Sequence, residues 1–369
     1  MSIRVVQHGI VYRNPRPELR AQHAWHPSLV DVGQHRWLCS FDLGSAPESI
    51  DYATYLSRSD DDGITWTDPV RLLHDASGRR TTHTIRIARM RDGRIVGAGA
   101  RLFRDDPERG LINTPGLGYA PMELISMTSR DGGWSWSDVA TVSPPLVGPC
   151  FETCHSLVEL DDGRLLWPTS TWMGWNGEAP NGMKAIALVS ENDGATWSKY
   201  MDIFDRWSEG VLHWEVSVVE MANGSLLAVA WAVDTRDSQT KPTPYALSGD
   251  GMTFSRRGVT GIRAQTAKLV ALPTGQALCA FRRHDTPGLW ACIVSIDPEG
   301  TWTNSDQVAL WLGAPSGMQG RGRSVGEDLS ALAFGYPNLH LRDDGDVMLA
   351  FWCREDCLGG IRWMRLAVS

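Results

Sequence analysis

The sequence of 369 residues predicts an all-β fold: one domain, residues 1–369, that forms a six-bladed β-propeller closed by the N-terminal strand pairing into the last blade. A turn motif that recurs along the chain predicts repeated antiparallel blades. Six apolar hairpins, offset from that motif, indicate the number of blades. The last hairpin is followed by too little sequence for a complete blade, which predicts the N-terminal closure.

The turn motif has the pattern S-x-[DN]-x-G-x-[ST]-W. It occurs as "SDDDGITW" (59–66), "SRDGGWSW" (129–136) and "SENDGATW" (190–197), with degenerate copies "LSGDGMTF" (247–254) and "SIDPEGTW" (295–302). Ser and Asp or Asn side chains can bond backbone amides, and Gly can adopt a positive φ. The terminal aromatic residue can pack between neighbouring sheets. The motif is therefore structural.

The six hairpins each consist of an apolar strand, a Gly-containing turn and a second apolar strand, as expected for strands buried on both faces. They are "SLVDVGQHRWLCSF" (28–41), "RIARMRDGRIVGAGA" (86–100), "SLVELDDGRLLWPTS" (156–170), "SVVEMANGSLLAVAW" (217–231), "KLVALPTGQALCAF" (268–281) and "NLHLRDDGDVMLAFW" (338–352). Only "GGIRWMRLAVS" follows the sixth. The alternating segment Ile3–Tyr12 can supply the missing outer strand and remove the exposed edges.

Composition excludes some classes of function. The chain is 42% hydrophobic and 21% charged, with a formal net charge of −8 and no long charged run, which predicts a soluble globular protein that does not bind nucleic acid. No apolar run approaches the roughly 18 residues that cross a bilayer, and the first residues lack a secretory signal. The seven scattered cysteines are expected to be reduced thiols in a cytoplasmic protein. The oligomeric state is left open.

Ligands of propellers usually bind where the first strands converge around the axis, so the residues just before each hairpin are the candidates for a site. They are Trp25, His26, His83, Glu152, Cys154, His155, Trp214, Glu215, Gln265 and Tyr336. Arg101, Arg282, Arg283 and Trp352 stand at the ends of second strands. Indole faces beside carboxylates and imidazoles are typical of sugar recognition, so a carbohydrate partner is expected.

Metal binding is a weaker possibility. His26, His83 and His155 come from three successive blades and could converge on one ion, but no local spacing of ligands supports this. Hydrogen-bonding or acid/base roles are more common for such histidines. We therefore expect neither a metal nor another cofactor.

The repeated turn motif resembles that of the sialidase (neuraminidase) superfamily, and the resemblance covers essentially the whole chain. In "HWEVSVVEMANG", Glu215 matches the family's general base. In "GYPNLHLRDDG", Tyr336 matches its nucleophile. A phenol with a pKa near 10 needs a neighbouring carboxylate to take its proton before it attacks an anomeric carbon. The resemblance implies that Glu215 and Tyr336 perform this chemistry.

The resemblance fails at the arginines that clamp the sialic acid carboxylate. Trp25 stands where the first should be, the second falls near Trp231, and the third near Gly288. Neither Trp nor Gly can make the bidentate bonds of a guanidinium. The family's acid/base Asp lies in a loop that is short here, "FDLGSAPESIDY", which leaves Asp42 and Glu48 as candidate acids, Glu48 being closer to the family position.

These observations predict a glycoside hydrolase acting on a small, non-sialic oligosaccharide or glycoside. Two alternatives remain. A lyase would use Tyr336 or a histidine such as His83 to abstract the proton beside a uronate carboxylate, which Arg101, Arg282 or Arg283 would neutralise. A propeller that only binds carbohydrate would need no acid/base groups.

Overall fold

A computed structural model of the chain describes residues 1–74, 78–113, 117–283, 285–313 and 333–369. Six antiparallel sheets surround one axis, and the described residues contain a single 3-10 helix, Trp207–Glu209, and no other helix. The all-β, six-bladed prediction is confirmed. Among the described residues there is no helix with the length and hydropathy that a membrane span requires.

Each of the first three blades follows the chain from its innermost to its outermost strand. In the third blade the innermost strand is interrupted, so that two short pieces pair with the same neighbour. The first blade consists of β2 His23–Gly33, β3 Arg36–Gly44, β4 Ala53–Ser59 and β5 Val70–Arg71. The second consists of β6 Thr81–Arg89, β7 Ile95–Phe103, β8 Met122–Ser129 and β9 Ala140–Val142. The third consists of β10 Cys150–Glu152, β11 Val158–Glu159, β12 Leu165–Trp172, β13 Ala185–Ser190 and β14 Lys199–Phe204.

The fourth and fifth blades repeat this order, and the sixth takes its outermost strand from the other end of the chain. The fourth blade consists of β15 Val211–Glu220, β16 Leu226–Asp234, β17 Pro244–Ser248 and β18 Arg256–Val259. The fifth consists of β19 Ala264–Ala271, β20 Ala277–Arg283, β21 Gly288–Ile296 and β22 Trp302–Trp311. The sixth consists of β23 Phe334–Leu341, β24 Val347–Glu355, β25 Leu358–Val368 and β1 Ile3–Tyr12.

Closure of the ring is non-covalent. Strand β1 pairs antiparallel with β25, from Ile3 opposite Val368 to Tyr12 opposite Ile361. The predicted N-terminal closure is confirmed. Pairing of β1 hides the edge of the sixth blade, whose backbone donors and acceptors would otherwise face solvent.

The turn motif makes the hydrogen bonds expected from its residue types. In its first copy, the Gly63 N–H donates to Ser59 Oγ (2.8 Å), the Thr65 N–H donates to Asp61 Oδ1 (2.8 Å) and the Trp66 indole N–H donates to the Gly63 carbonyl (2.8 Å). The Ser, Asp and Gly positions of the second copy are bonded in the same way. Local side-chain hydrogen bonds therefore contribute to the conformation of these turns.

Neighbouring blades are also joined near the axis. The residue at the start of an inner hairpin accepts a hydrogen bond from a backbone N–H of the next blade in three of the six cases. These bonds run from Ile87 to Ser28 (2.8 Å), from Leu269 to Ser217 (3.0 Å) and from Leu29 to Asn338 (2.9 Å). They satisfy buried backbone donors that no strand pairing reaches.

The topology places the candidate site at one end of the axis. Every first strand starts at the end where the second strand finishes, since the two are antiparallel and joined by a short hairpin. The hairpins and the turn motifs lie at the opposite end. The residues before the six hairpins therefore gather at one mouth of the channel.

Substitution of Gly9 tests the closure. A Cβ at Gly9 would lie 2.6 Å from Nε1 of Trp363, its partner on β25. We expect Gly9→Val to lower the free energy of unfolding by about 1–3 kcal/mol, because the added methyl groups overpack a filled site. Denaturant unfolding measures this.

The neighbouring Ile10 provides the control, because its side chain is 41% exposed. Ile10→Val should change stability by less than about 0.5 kcal/mol. Equal stabilities of the two variants would contradict the packing of β1 on Trp363.

Candidate active site

Four first strands share a bulge at the mouth of the channel. The strand register shifts between Trp25 and Ser28, between Trp214 and Ser217, between Gln265 and Lys268, and between Gly335 and Asn338. One residue inside each bulge has a left-handed backbone: His26 (φ 51°), Glu215 (φ 50°), Thr266 (φ 53°) and Tyr336 (φ 53°).

A positive φ is uncommon for residues that carry a Cβ, and it costs of order 1–3 kcal/mol. Such strain persists where surrounding structure enforces it, and bulges of this kind re-aim side chains beside active sites. Three of the four residues carry a titratable group: an imidazole, a carboxylate and a phenol. The bulges therefore bring three titratable groups to one end of the channel.

Tyr336 is 2% exposed and packs in the apolar cluster that also contains Trp25 and Trp352. Its hydroxyl donates to the carbonyl of Cys154, which also accepts a hydrogen bond from Lys268 Nζ (2.9 Å). The Tyr336 ring centroid is 4.9 Å from Lys268 Nζ and 5.4 Å from the Arg86 guanidinium. Burial raises the pKa of Tyr336 above its usual value, while Arg86 acts in the opposite direction.

A carboxylate pair lies on one side of Tyr336. The Glu215 backbone N–H donates to Glu152 Oε2 (3.0 Å), and Lys268 Nζ lies 3.4 Å from the Glu215 carbonyl oxygen. Among the described residues, Glu152 Oε1 and Glu215 Oε2 are buried without a hydrogen-bond partner. Two carboxylates and one ammonium group thus share a site in which Glu152 and Lys268 are buried and Glu215 is partly exposed.

This shared environment shifts all three groups toward their neutral forms. Burial, and then the charge of Glu215, raise the pKa of Glu152 to about 8, against the opposing effect of Lys268. Burial also raises the pKa of Glu215, opposed by Lys268 and Arg282. Burial lowers the pKa of Lys268. A carboxylate with a raised pKa is suited to accept a proton near neutral pH.

An ion pair lies on the other side of Tyr336. Asp42 and Arg86 are buried and 2.7 Å apart. The Asp42 carboxylate also accepts hydrogen bonds from the hydroxyls of Tyr52 (2.8 Å), Thr54 (2.7 Å) and Thr84 (3.0 Å). Burial alone would raise the pKa of Asp42, but Arg86 and the hydrogen bonds of His26 and Arg86 lower it well below its usual value. Asp42 is therefore ionised.

His26 links this ion pair to Tyr336. Its Nδ1 lies 3.0 Å from the Tyr52 hydroxyl and 3.4 Å from Asp42 Oδ2. Its ring packs edge-on against the Tyr336 ring, with centroids 5.2 Å apart. Burial lowers the pKa of His26, and the hydrogen bond to Asp42 opposes that effect.

Arg282 occupies the fifth blade's part of the mouth and is buried. Its Nε donates to Gln265 Oε1 (2.8 Å), and its Nη1 donates to the Phe334 carbonyl (2.9 Å). Gly335 makes this approach possible, because a Cβ there would lie 2.5 Å from Nη1. Burial lowers the pKa of Arg282 to about 10, although Glu215 favours the charge.

A row of stacked aromatic residues flanks Glu215, and we call it the aromatic wall: Tyr119, Trp172, Trp214 and Trp231. Successive ring centroids are 5.2, 5.0 and 4.4 Å apart. All except Trp172 are partly exposed. The four rings pack together with Met183 and Leu212 in one apolar cluster.

Four other predicted site residues make contacts of a different kind: two tryptophans pack in the core, and two arginines form ion pairs. Trp25 and Trp352 are each 3% exposed and belong to the apolar core between the sixth and first blades. Arg101 pairs with Glu123 on β8 (3.1 Å). Arg283 pairs with Asp285 (2.8 Å), and its guanidinium lies 4.9 Å from the centroid of the Trp290 ring.

Glu48 holds a loop in place. Its Oε2 accepts the Leu111 N–H (2.9 Å), and its carbonyl accepts Arg104 Nη2 (2.8 Å). Burial raises the pKa of Glu48, against these backbone hydrogen bonds. No contact of Glu48 with Tyr336 or Glu215 is present in the described part of the chain.

The three histidines do not converge. His83 Nε2 lies 3.3 Å from the Thr81 hydroxyl, and His155 lies between the Ser156 carbonyl (2.7 Å) and the Ser217 hydroxyl (3.1 Å). Burial, and then Lys268, lower the pKa of His155 to about 3. Across the described ranges, no three His, Cys, Asp or Glu side chains are grouped as metal ligands.

Sequence patterns do not single out Tyr52, Arg86, Tyr119, Trp172 or Lys268 as site residues. A signal exists for two of them. Arg86 and Lys268 begin inner hairpins at the position where the other four hairpins have Ser or Asn. A cation at the start of an apolar strand predicts a buried ionic partner. The other three become recognisable only once the blades are assembled.

The sequence matches no family model and no curated protein. Solved structures do match. A protein of unknown function from Dyadobacter fermentans DSM 18053 superimposes with a TM-score of 0.75 and 21% identity over 100% of both chains. NanB sialidase from Streptococcus pneumoniae gives 0.67 and 12% identity, over 98% of this chain and 70% of that one.

An intramolecular trans-sialidase from Ruminococcus gnavus gives a TM-score of 0.66 and 13% identity over 97% of each chain. At these identities the likeness is one of fold, and fold does not determine function. The chain has the six-bladed propeller fold of the sialidases, which confirms the expected resemblance at that level. The roles of individual site residues stay predictions.

Asp42→Asn tests the buried ion pair. The variant leaves Arg86 charged and buried without its counterion, so we expect it to lower the free energy of unfolding by about 3–5 kcal/mol. The matched control is Asp356→Asn, which breaks an exposed pair with Arg13 and should cost less than about 1 kcal/mol. The double variant Asp42→Asn/Arg86→Met should recover part of the loss, and failure to do so would contradict the pairing.

Glu152→Gln tests the raised carboxyl pKa through stability. Because the folded-state pKa of Glu152 is raised to about 8, its contribution to stability is fully present below the unfolded value of about 4.3 and is lost as pH rises toward 8. The glutamine side chain of Glu152→Gln does not ionise, so the variant does not lose stability in this way as pH rises. The thermal midpoint of the variant should therefore exceed that of the wild type increasingly between these pH values, and a constant difference would refute the shift.

Proposed function

We propose that the protein is a glycoside hydrolase of sialidase fold that acts on a small, non-sialic oligosaccharide or glycoside. Tyr336 is the nucleophile and Glu215 is its base. The observation that carries the proposal is their placement: both stand at equivalent left-handed bulges, and Glu215 has a buried carboxylate oxygen without a hydrogen-bond partner.

The chemistry follows from these two groups. Transfer of the phenol proton to Glu215 lets the Tyr336 oxygen attack the anomeric carbon, which forms a glycosyl-tyrosine and releases the aglycone. Water then hydrolyses that intermediate: its oxygen bonds to the anomeric carbon as the bond to Tyr336 breaks, and the proton that it loses balances the one taken up by the departing aglycone oxygen. The proton on Glu215 returns to the phenolate. A neutral phenol is a weak nucleophile, and burial raises the pKa of Tyr336. A base beside it is therefore required.

The cations of the mouth support a neutral sugar. Arg86 pairs with Asp42, Lys268 donates to backbone carbonyls, and Arg282 donates to Gln265 and the Phe334 carbonyl. Each cation therefore already has acceptors of its own. A substrate carboxylate would have to compete for them, whereas hydroxyl groups of a neutral sugar can bond the unpartnered oxygens of Glu152 and Glu215.

The aromatic wall supports a pyranose ring. Trp231, near the position where the family's second arginine would stand, is part of this wall and donates its indole N–H to Thr240 Oγ1 (3.1 Å). A stacking surface thus takes the place of a bidentate charge contact. Such a surface favours the apolar face of a sugar over a carboxylate.

Covalent trapping tests the nucleophile. Fluorinated glycosides of neutral hexoses with a dinitrophenol leaving group should label the wild-type protein with one sugar, which intact mass and peptide mapping would locate on Tyr336. Tyr336→Phe should not be labelled and should lose turnover by roughly a thousandfold or more. Glu215→Gln should lose roughly 10²–10⁴-fold.

The matched control is Tyr200→Phe, because Tyr200 lies on the outer strand β14 and is 37% exposed. It should be labelled and active like the wild type. Full turnover by folded Tyr336→Phe would overturn the mechanism. Rapid hydrolysis of an aryl sialoside would overturn the substrate class, and an unsaturated product from a uronate glycan would indicate a lyase instead.

A further inference from the structure

We infer that His26, oriented by Asp42, is the residue that donates a proton to the departing glycosidic oxygen and later accepts one from the attacking water. This role rests on the proposed hydrolase function. The acid/base residue would then be an imidazole on the first strand of the first blade, in place of the candidate acids Asp42 and Glu48.

The first argument is position. His26 has the same left-handed backbone as Glu215 and Tyr336, at the equivalent bulge of its own blade. Its ring contacts the Tyr336 ring, with centroids 5.2 Å apart. The bulges thus direct an imidazole, a carboxylate and a phenol to one mouth. Thr266, at the fourth bulge, has no titratable group.

The second argument is orientation. Nδ1 of His26 is held by the Tyr52 hydroxyl and by Asp42 Oδ2. The side chain is 31% exposed, while that of Asp42 is fully buried. In the described residues Nε2 has no hydrogen-bond partner. An imidazole fixed through one nitrogen by a carboxylate presents the other nitrogen for proton transfer.

The third argument is that the carboxylates of the loop are already engaged. Asp42 faces Arg86 and accepts hydrogen bonds from three hydroxyls, so it stays ionised and has no proton to give. Glu48 accepts the Leu111 N–H and lies in the segment that Arg104 ties down.

The proton balance closes over the cycle. In the first step His26 has to be protonated, which the neighbouring Asp42 carboxylate favours against the effect of burial. Its Nε2–H protonates the glycosidic oxygen as the bond of that oxygen to the anomeric carbon breaks, and the Tyr336 proton passes to Glu215. In the second step neutral His26 takes a proton from water, whose oxygen bonds to the anomeric carbon as the bond to Tyr336 breaks. The Tyr336 oxygen recovers its proton from Glu215. No further reactant is needed.

His26→Gly is the informative variant. Glycine adopts a positive φ without strain, so the bulge is kept while the imidazole is removed. A dinitrophenolate leaves without protonation, whereas an alkoxide does not. We therefore expect turnover of dinitrophenyl glycosides of neutral hexoses to change little in its first step, and turnover of the corresponding methyl glycoside to fall by roughly 10²–10⁴-fold.

Azide provides a second measurement. It needs no general base, and the space left by the imidazole admits it, so azide should accelerate His26→Gly on the dinitrophenyl substrate and yield a glycosyl azide. The matched control is Thr266→Gly, the same change at the bulge that carries no titratable group. Any loss there should be equal for both leaving groups and should not respond to azide.

The outcomes separate this role from the proposed function. If the wild type is not trapped and turns over none of these glycosides, the hydrolase proposal itself fails. If the wild type is trapped on Tyr336 but His26→Gly loses both substrates equally and forms no glycosyl azide, the acid/base role of His26 is wrong and the nucleophile stands. Loss confined to the methyl glycoside, with azide rescue, supports it.

Discussion

The left-handed bulge that recurs in four first strands is the constraint on which the site depends. A regular strand alternates its side chains between the two neighbouring blades and directs none of them along the axis. The extra residue in each bulge breaks that alternation and turns His26, Glu215, Thr266 and Tyr336 toward the mouth. The strain is tolerated because both sides of each first strand are packed against other blades.

Charge balance is the second organising feature. Asp42, Glu152 and Glu215 stand close to Arg86, Lys268 and Arg282, so three acidic groups face three basic ones, and burial favours the neutral forms of Glu152, Glu215 and Lys268. Each cation is bonded to protein acceptors, and in the described part of the chain Glu152 Oε1, Glu215 Oε2 and Arg86 Nε are buried without a hydrogen-bond partner. Unpartnered buried polar atoms of this kind are costly in the free protein.

The carboxyl groups of the mouth are of two kinds, which differ in their neighbours. Asp42 faces a guanidinium and several hydroxyls, and its pKa is lowered, whereas Glu152 and Glu215 face each other in a dry environment, and their pKa values are raised. Proton acceptors and a permanent anion thus coexist within one mouth. Environments that push like groups apart in pKa are typical of acid/base sites.

The sequence by itself determined the number of blades, the N-terminal closure and the bonding of the turn motif, because periodicity and turn chemistry act over a few residues. Through a resemblance it also predicts roles for Tyr336 and Glu215, and these roles stay predictions. Only the tertiary structure decided that Asp42 pairs with Arg86, that Trp25 and Trp352 are core, and that His26 faces Tyr336. These depend on bulges and on packing between blades, which bring together residues far apart in the chain and leave no local pattern.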